Sequence, residues 1–414
     1  MKNRLGILEQ YIGFFTKWMI AGVMLGICGG IIGALFSLSI EAATEFRRAH
    51  MWIVWLLPVG GLLIVFIYKL RGLHPTDTNG IIVAVREHND IGFSTAPLIF
   101  ISTVISHFFG GSAGREGAAL QMGGSLGRDL ADLMHQDEKN SHIMVMTGMS
   151  AVFAALFGTP VTAAIFSMEV ISVGILHFSA FVPCLTAGIV ASSVSSMMGA
   201  GGEFFNLGFM DFSPLLAGEA ALIAAIVSIV SIIFCISLSH AHNFGEKRLK
   251  NPYLRIAIAG LLVALLTYLE GSGDYNGAGI DVIERAMEGH ANPEAFAMKM
   301  LFTVLTMAFG FKGGEIIPAL FIGSTLGCTL GALLGLPAGF GAAIGMLSMF
   351  CGCLNCPIST ILLGLEMFSG GDLRCFAIAA AVSYVLSGNF GLYTRQKIMY
   401  SKLRPEYINS YTHQ

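Results

Sequence analysis

Residues 110–127 open with Gly110-Gly111-Ser112-Ala113-Gly114-Arg115-Glu116-Gly117 and continue as a run of small residues to Gly127. A Gly-rich turn feeding a helix leaves backbone N–H groups without intrahelical partners. Those groups and the helix dipole favour an anion just before the first turn. Glu116 stands in that place with a negative charge of its own. A carboxylate and a free anion would compete for the same N–H groups. Protonating Glu116 would release the site, so one side chain can couple proton movement to anion movement. In a soluble chain the same pattern reads as a helix-start acid with packing glycines. At depth in a membrane an ionisable group is costly and marks function.

Composition decides between these settings. Charged residues make up 12% and hydrophobic ones 55% of the chain, which fits a polytopic membrane protein. Apolar runs recur along all 414 residues, more than one soluble core can bury. The 51 glycines suit transmembrane helices that approach closely. A net charge of −3 suggests no nucleic-acid partner. The N-terminus has a long apolar region and no clear cleavage site, so it reads as retained. Cys28, Cys184, Cys235, Cys328 and Cys375 lie in apolar runs, and Cys351, Cys353 and Cys356 cluster. No fourth ligand or polar surrounding is visible for a metal, so the cluster reads as small buried thiols. No cofactor is expected.

Apolar and polar stretches alternate on both sides of Glu116. Met1 to Lys17 reads as a basic surface helix and Trp18 to Ile40 as a span. Its glycines at 22, 26 and 30, and at 29 and 33, make small-residue faces. Met51 to Tyr68 is a second candidate span. A polar break from Gly72 to Gly80 leads into a short amphipathic helix ending near Glu87, and Ala96 to Phe109 is apolar. Asp129 to His142 reads as a loop, and Ile143 to Phe157 is apolar. Gly158-Thr159-Pro160 opens a helix running through Glu169, and apolar stretches follow to Met198 and from Leu215 to Leu238. Lys247, Arg248, Lys250 and Arg255 read as a basic loop. With Lys2, Arg4, Lys17, Arg395, Lys397, Lys402 and Arg404 they place both termini in the cytoplasm. The polar stretch Gly271 to Glu294 is expected at the opposite surface. Stretches such as Ile358 to Met367 are too short to span, which points to a site built from discontinuous helices.

A repeat supports that reading. Gly123-Gly124-Ser125-Leu126-Gly127 returns 200 positions on as Gly323-Ser324-Thr325-Leu326-Gly327. Thr159-Pro160 followed by Glu169 is answered 197 positions on by Cys356-Pro357 followed by Glu366. The counterpart of the first Gly turn is Gly310-Phe311-Lys312-Gly313-Gly314-Glu315-Ile316-Ile317-Pro318. It supplies a second set of N–H donors, and the two sets could clamp one anion. Lys312 is either an interfacial charge or a source of local positive potential. Glu315 is either a solvated loop acid or a protonated or hydrogen-bonded group beside the anion. His107 reads as a core histidine more readily than as a proton relay.

Gly-Arg-Glu-Gly after a Gly/Ser turn, followed by Gln121 and a small-residue helix, resembles the gating-glutamate segment of the CLC anion channels and antiporters. Ala118 stands where that family usually has Pro. The Gly-Ser-Gly-Ile-Pro filter motif gives way to the polar break holding Asp77, Thr78 and Asn79, and Val170 follows Glu169 where chloride antiporters carry a second glutamate. The second-half filter reads Gly-Gly-Glu-x-x-Pro. These departures resemble the fluoride-exporting, proton-coupled bacterial branch, although Ile317 replaces its usual Thr. The resemblance implies an all-α polytopic membrane protein. Two inverted-topology halves, about 18–200 and 214–395, would meet through discontinuous helices at a midplane anion site. It also implies a single transmembrane domain over 1–414 without a soluble C-terminal domain, and a homodimer in the bacterial inner membrane that exchanges fluoride for protons. Glu116 and Glu315 would serve gating and proton coupling. Asp77, Thr78, Asn79, Gly114, Arg115, Gly117, Gly314, Ile316, Ile317 and Tyr393 would surround the anion, with an interfacial tyrosine as the other reading of Tyr393. Rival expectations are a chloride channel or chloride antiporter of the same family, and a membrane-embedded enzyme using Glu116 and His107. The enzyme lacks a clear nucleophile paired with a base.

Overall fold

The computed structural model describes residues 2–70, 78–86, 95–208 and 211–413. Its helices are α1 (Lys2–Ala49), α2 (Leu57–Leu70), α3 (Thr78–Arg86), α4 (Thr95–Phe109), α5 (Glu116–Leu133), α6 (Glu138–Phe157), α7 (Pro160–Glu169) and α8 (Phe181–Met197). They continue with α9 (Pro214–Arg248), α10 (Pro252–Glu270), α11 (Ile280–Met287), α12 (Ala295–Met307), α13 (Ile316–Leu334), α14 (Phe340–Leu354), α15 (Pro357–Met367) and α16 (Leu373–Leu386). Among the described residues seven helical segments are long and apolar enough to cross a membrane, and α4, α12, α14, α15 and α16 are shorter apolar helices. The chain is an all-α multi-pass membrane protein.

Local chemistry sets the helix ends. Pro occupies the first turn of α7, α9, α10 and α15, where its missing N–H has no partner to lose. Asp137 caps α6 by accepting from Asn140 N at 2.9 Å.

Small residues set the packing. A Cβ at Gly22, Gly26 or Gly30 would strike Thr186, Val190 or Val194, so α1 lies parallel to and almost touching α8. Gly29 and Gly33 do the same against Ala151 and Ala155 of α6. Gly123 and Gly127 of α5 rest on the carbonyls of Gly148 and Met144 in antiparallel α6. In the second half Gly323 and Gly327 of α13 rest on the carbonyls of Gly345 and Gly341 in α14. These are the glycines of the sequence repeat, and their role is backbone-to-backbone contact.

Two carboxylates then join the halves reciprocally. Glu169, ending α7, accepts from Ile358 N at 3.1 Å, Ser359 N at 2.9 Å and Ser359 Oγ at 2.5 Å at the start of α15. Glu366, near the end of α15, accepts from Val161 N at 3.0 Å and Thr162 N at 2.7 Å at the start of α7. Each helix is capped by the acid at the end of the other, so the two run antiparallel. Such an exchange needs a two-fold axis perpendicular to both helices. For helices inserted across a bilayer that axis lies in the membrane plane, which is the inverted arrangement.

Several boundaries differ from the sequence reading. The N-terminal segment and the first span form one helix, α1. The expected loop at 129–142 shrinks to 134–137 because α5 and α6 extend into it. Lys247 and Arg248 belong to the last turn of α9. Five short strands also occur: β1 (Ser172–Val173), β2 (Phe205–Asn206), β3 (Phe368–Ser369), β4 (Lys397–Tyr400) and β5 (Tyr407–Tyr411). β4 pairs parallel with β1 and antiparallel with β5, while β2 pairs parallel with β3. Three of these strands have only two residues, which leaves no period to read. The β1–β4 pair ties the C-terminal segment to the end of α7, close to the start of α8. Because α1 packs parallel to α8, both chain ends lie on one face. Gly273 packs against Met51, just beyond the far end of α1, so the 271–279 segment lies at the opposite face.

Removing Glu169 would strand two amides and a hydroxyl away from water. Glu169→Ala is expected to destabilise the fold by about 3 kcal/mol, and Glu169→Gln by roughly half of that, since one acceptor oxygen remains. Thermal unfolding in detergent measures this, and an unchanged midpoint in Glu169→Ala would contradict the capping role.

Candidate functional site

The site grows from two turns of matching shape. α4 ends at Phe109, and Gly110 takes φ +96°, a region open to glycine. α12 is followed by Gly310 at φ +115°. Each chain then runs extended to a glycine, and these two glycines pair. Gly114 N donates to Gly314 O at 2.6 Å and Gly314 N to Gly114 O at 2.8 Å. Directly after the pair the chains enter α5 and α13. The two helix N-termini, one from each half, are therefore pinned side by side in the interior.

Glu116 fills the space between them. Its side chain is fully buried, and Oε2 accepts from Arg115 N at 3.1 Å and Ile317 N at 3.1 Å. One donor comes from each half. Oε1 has no hydrogen-bond partner among the described residues. The carboxylate thus takes one backbone amide from each helix start.

The other expected residues converge beside it, with exceptions. A Cβ at Gly117 would lie 3.1 Å from Gly314 Cα, 3.2 Å from Thr78 Oγ1 and 3.3 Å from Glu315 Oε2, so the absence of a side chain there keeps this junction open. Thr78 is buried and its hydroxyl accepts from Gln121 Nε2 at 3.2 Å. Ile316 and Ile317 are buried at the start of α13. Tyr393 is buried, and its hydroxyl has no partner among the described residues. Asn79 instead accepts from Arg395 N at 3.0 Å, tying α3 to the segment that carries Tyr393. The Arg115 side chain donates to Ser37 Oγ at 2.6 Å and reaches Leu156 O at 3.5 Å, so its backbone amide rather than its guanidinium meets Glu116. Lys312 places its ammonium 5.3 Å from the centre of the Tyr68 ring. Asp77 lies outside the described residues.

Beyond the junction is a polar cavity of about 350 Å³ lined by Asn79, Glu315, Thr394, His242 and His413. It opens on the side of the chain ends, so Glu315 links the junction to that face.

A supporting layer was not foreseen. Arg47 donates to His107 O, Asn276 Nδ2 donates to Gly110 O at 2.7 Å, and Gly277 N donates to Gly111 O at 3.0 Å. Lys299, fully buried, donates to Tyr275 O at 3.2 Å and Gly277 O at 2.7 Å. His107 Nε2 lies 3.2 Å from Gly114 O, and a carbonyl only accepts, so this nitrogen carries the proton. His107 is a core histidine that holds the first turn. The available signal was a set of isolated polar residues in apolar or Gly-rich stretches. Seven of the eight thiols are buried and Cys28 is exposed.

The family profile described as Voltage gated chloride channel matches residues 76–388. A chloride/fluoride channel protein from Pseudomonas syringae pv. tomato is 34% identical over 399 residues, covering 94% of this chain and 88% of that protein. The crystal structure of a CLC-type fluoride/proton antiporter superposes with a TM-score of 0.89 at 30% identity, covering 92% of this chain and 98% of the other. A slow cyanobacterial Cl−/H+ antiporter shares the fold at a TM-score of 0.78 and 17% identity, over 89% of this chain and 94% of that one. The paired helix N-termini around Glu116, the profile match and the overall superposition agree, and the chain belongs to the CLC family.

Proposed function

We propose that this chain is a fluoride/proton antiporter that exports fluoride from a bacterial cytoplasm against inward proton flow. One observation carries the reading: Glu116 Oε2 is shared by one amide from each half, Arg115 N and Ile317 N. When the carboxylate is charged it occupies the anion's donors. When it takes a proton it yields them, so each proton admitted frees a place for an anion.

Fluoride suits the donor set. It is small, strongly hydrated and a strong acceptor, and stripping its water needs several convergent donors. Two helix N-termini and the Tyr393 hydroxyl provide them, and the Thr78 hydroxyl joins them by turning from Gly117 O. The Gly-Gly-Glu pattern at 313–315 and Val170 beside Glu169 support the fluoride branch, as does the likeness to a fluoride/proton antiporter over most of the chain. Glu315, lining the cavity on the terminal face, is the second proton-handling group. The two halves, about 18–200 and 214–395, form one transmembrane domain in the inner membrane with both termini cytoplasmic. Exposed apolar residues such as Ile189, Leu222, Ile229 and Ile233 provide lipid-facing and subunit-facing surface for a homodimer with a pore in each copy.

Purified protein in liposomes, followed with fluoride- and chloride-selective electrodes, tests the substrate. Fluoride efflux is expected to exceed chloride efflux by on the order of 100-fold, about 2.7 kcal/mol of discrimination. Equal rates would favour the chloride reading. Glu116→Gln keeps the size but exchanges no proton. Proton uptake driven by a fluoride gradient is expected to fall to background, leaving a fluoride leak at most, and undiminished coupled uptake would remove Glu116 from the mechanism. Glu315→Gln is expected to slow coupled turnover on the order of 100-fold. Unchanged turnover would leave Glu315 as a solvated loop acid.

A further inference from the structure

We propose that Glu203 is the outer proton-transfer residue, passing protons to Glu116 through a small chamber between them. The proposal rests on the proton-coupled reading above and adds a residue on the face opposite the chain ends.

Three observations meet at Glu203. First, a cavity of about 30 Å³ is lined by both Glu116 and Glu203, together with Ile317, Phe157, Ile283 and Met346. By volume that is room for roughly two waters, and Arg115, Glu116 and Glu203 are the polar partners in an otherwise apolar lining. Second, Glu203 also lines a wider bowl of about 400 Å³. It is thus a carboxylate common to the bowl and to the chamber on Glu116. Third, Glu203 is not on a free loop. A Cβ at Gly202, just before it, would strike the Phe157 carbonyl, so that backbone lies flat on the end of α6. Two residues later Phe205 and Asn206 pair with Phe368 and Ser369. The acid is held between two backbone anchors, in the lining of both cavities.

The receiving atom is also defined. Glu116 Oε2 is occupied by two amides, whereas buried Oε1 has no partner among the described residues, and Glu116 lines the chamber. In the proposed step the Glu203 carboxyl gives its proton to the adjacent water. A proton hops from water to Glu116, leaving Glu203 as carboxylate and Glu116 as carboxylic acid. Hydronium in the bowl then reprotonates Glu203 and leaves water behind, so charge is conserved at each stage.

The charged surroundings favour protons on this side. From α1 the bowl receives Glu41, Glu45 and Arg48, and from α11 Asp281 and Glu284. Arg48 pairs with Asp281. Arg115, just before α5, lines both cavities, Glu116 lines the chamber, and Glu366 of α15 is already engaged with the α7 amides. Burial, then the charges of Glu203 and Asp281, push the Glu284 carboxyl up. An acidic bowl concentrates cations and repels anions, so it suits proton entry and opposes return of the exported anion.

The test uses full-length protein in liposomes, with coupled proton uptake and fluoride efflux followed while the pH on the bowl side is varied. At about pH 7.5, Glu203→Gln is expected to slow coupled transport by about tenfold, and lowering the pH by two units should restore most of the rate as hydronium bypasses the relay. The proton-to-fluoride ratio stays that of the parent, and Glu203→Asp keeps most of the rate. Glu284→Gln, outside the chamber, is expected to stay within about twofold. A parent-like pH profile in Glu203→Gln overturns the proposal. So does an equal loss at every pH, which would mark a structural role, or failure of the Asp variant to recover. If the parent itself moves fluoride without protons, the antiport reading fails and the relay falls with it. If the parent is coupled and Glu116→Gln is not, while Glu203→Gln matches the parent, the relay alone fails.

Discussion

The structure depends on one paired contact, the exchange of backbone hydrogen bonds between Gly114 and Gly314. Each lies on extended chain deep in a membrane protein, where unpaired N–H and C=O groups are costly and non-helical backbone survives only if protein satisfies it or a cavity lines it. Each broken segment satisfies the other. The same contact brings the first amides of α5 and α13 within reach of one small group. A side chain at either glycine would break it. A Cβ on Gly314 would come 2.9 Å from Glu116 N, and one on Gly114 would come 3.0 Å from Pro318 Cδ. The glycines of the site are there for approach as much as for flexibility.

Every other feature of the middle of the chain serves that contact. Glycine rows seat α5 on α6 and α13 on α14 at backbone distance, and the crossed caps of Glu169 and Glu366 fix α7 against α15. The clamp of Arg47, His107, Asn276 and Lys299 holds only the first turn. The second turn faces the cavity on the terminal side through Glu315, where access is needed.

Much of this was legible in the sequence because the informative signals were local. Gly-Arg-Glu-Gly before a small-residue helix marked both the helix start that meets its counterpart from the other half and the acid buried there. The repeat of Gly123 to Gly127 at Gly323 to Gly327 located the second donor set. What could not be read lay between distant residues. The two caps require knowing that α7 and α15 are antiparallel, although Glu169 and Glu366 were already visible as repeat partners. The clamp joins residues from 47 to 299, and its polar members look like isolated defects in apolar or Gly-rich stretches. Boundaries failed where apolarity and helicity part company: α5 and α9 continue through polar residues, so Leu133 and Arg248 end helices that hydropathy would end sooner. The roles of Thr78 and Asn79 also diverged in space, one turning to Gly117 and the other to Arg395.

The central claim is that the anion and the Glu116 carboxylate compete for the amides of Arg115 and Ile317. Competition of this kind makes binding and protonation mutually supportive, because displacing the carboxylate favours its protonated form. Calorimetric titration of fluoride into the purified protein, repeated in buffers of different ionisation enthalpy, counts the protons taken up per anion bound. The account predicts uptake approaching one proton per fluoride near neutral pH, tighter binding as pH falls, and no linked uptake in Glu116→Gln. Fluoride binding that takes up no proton in the parent, with affinity independent of pH, would contradict it.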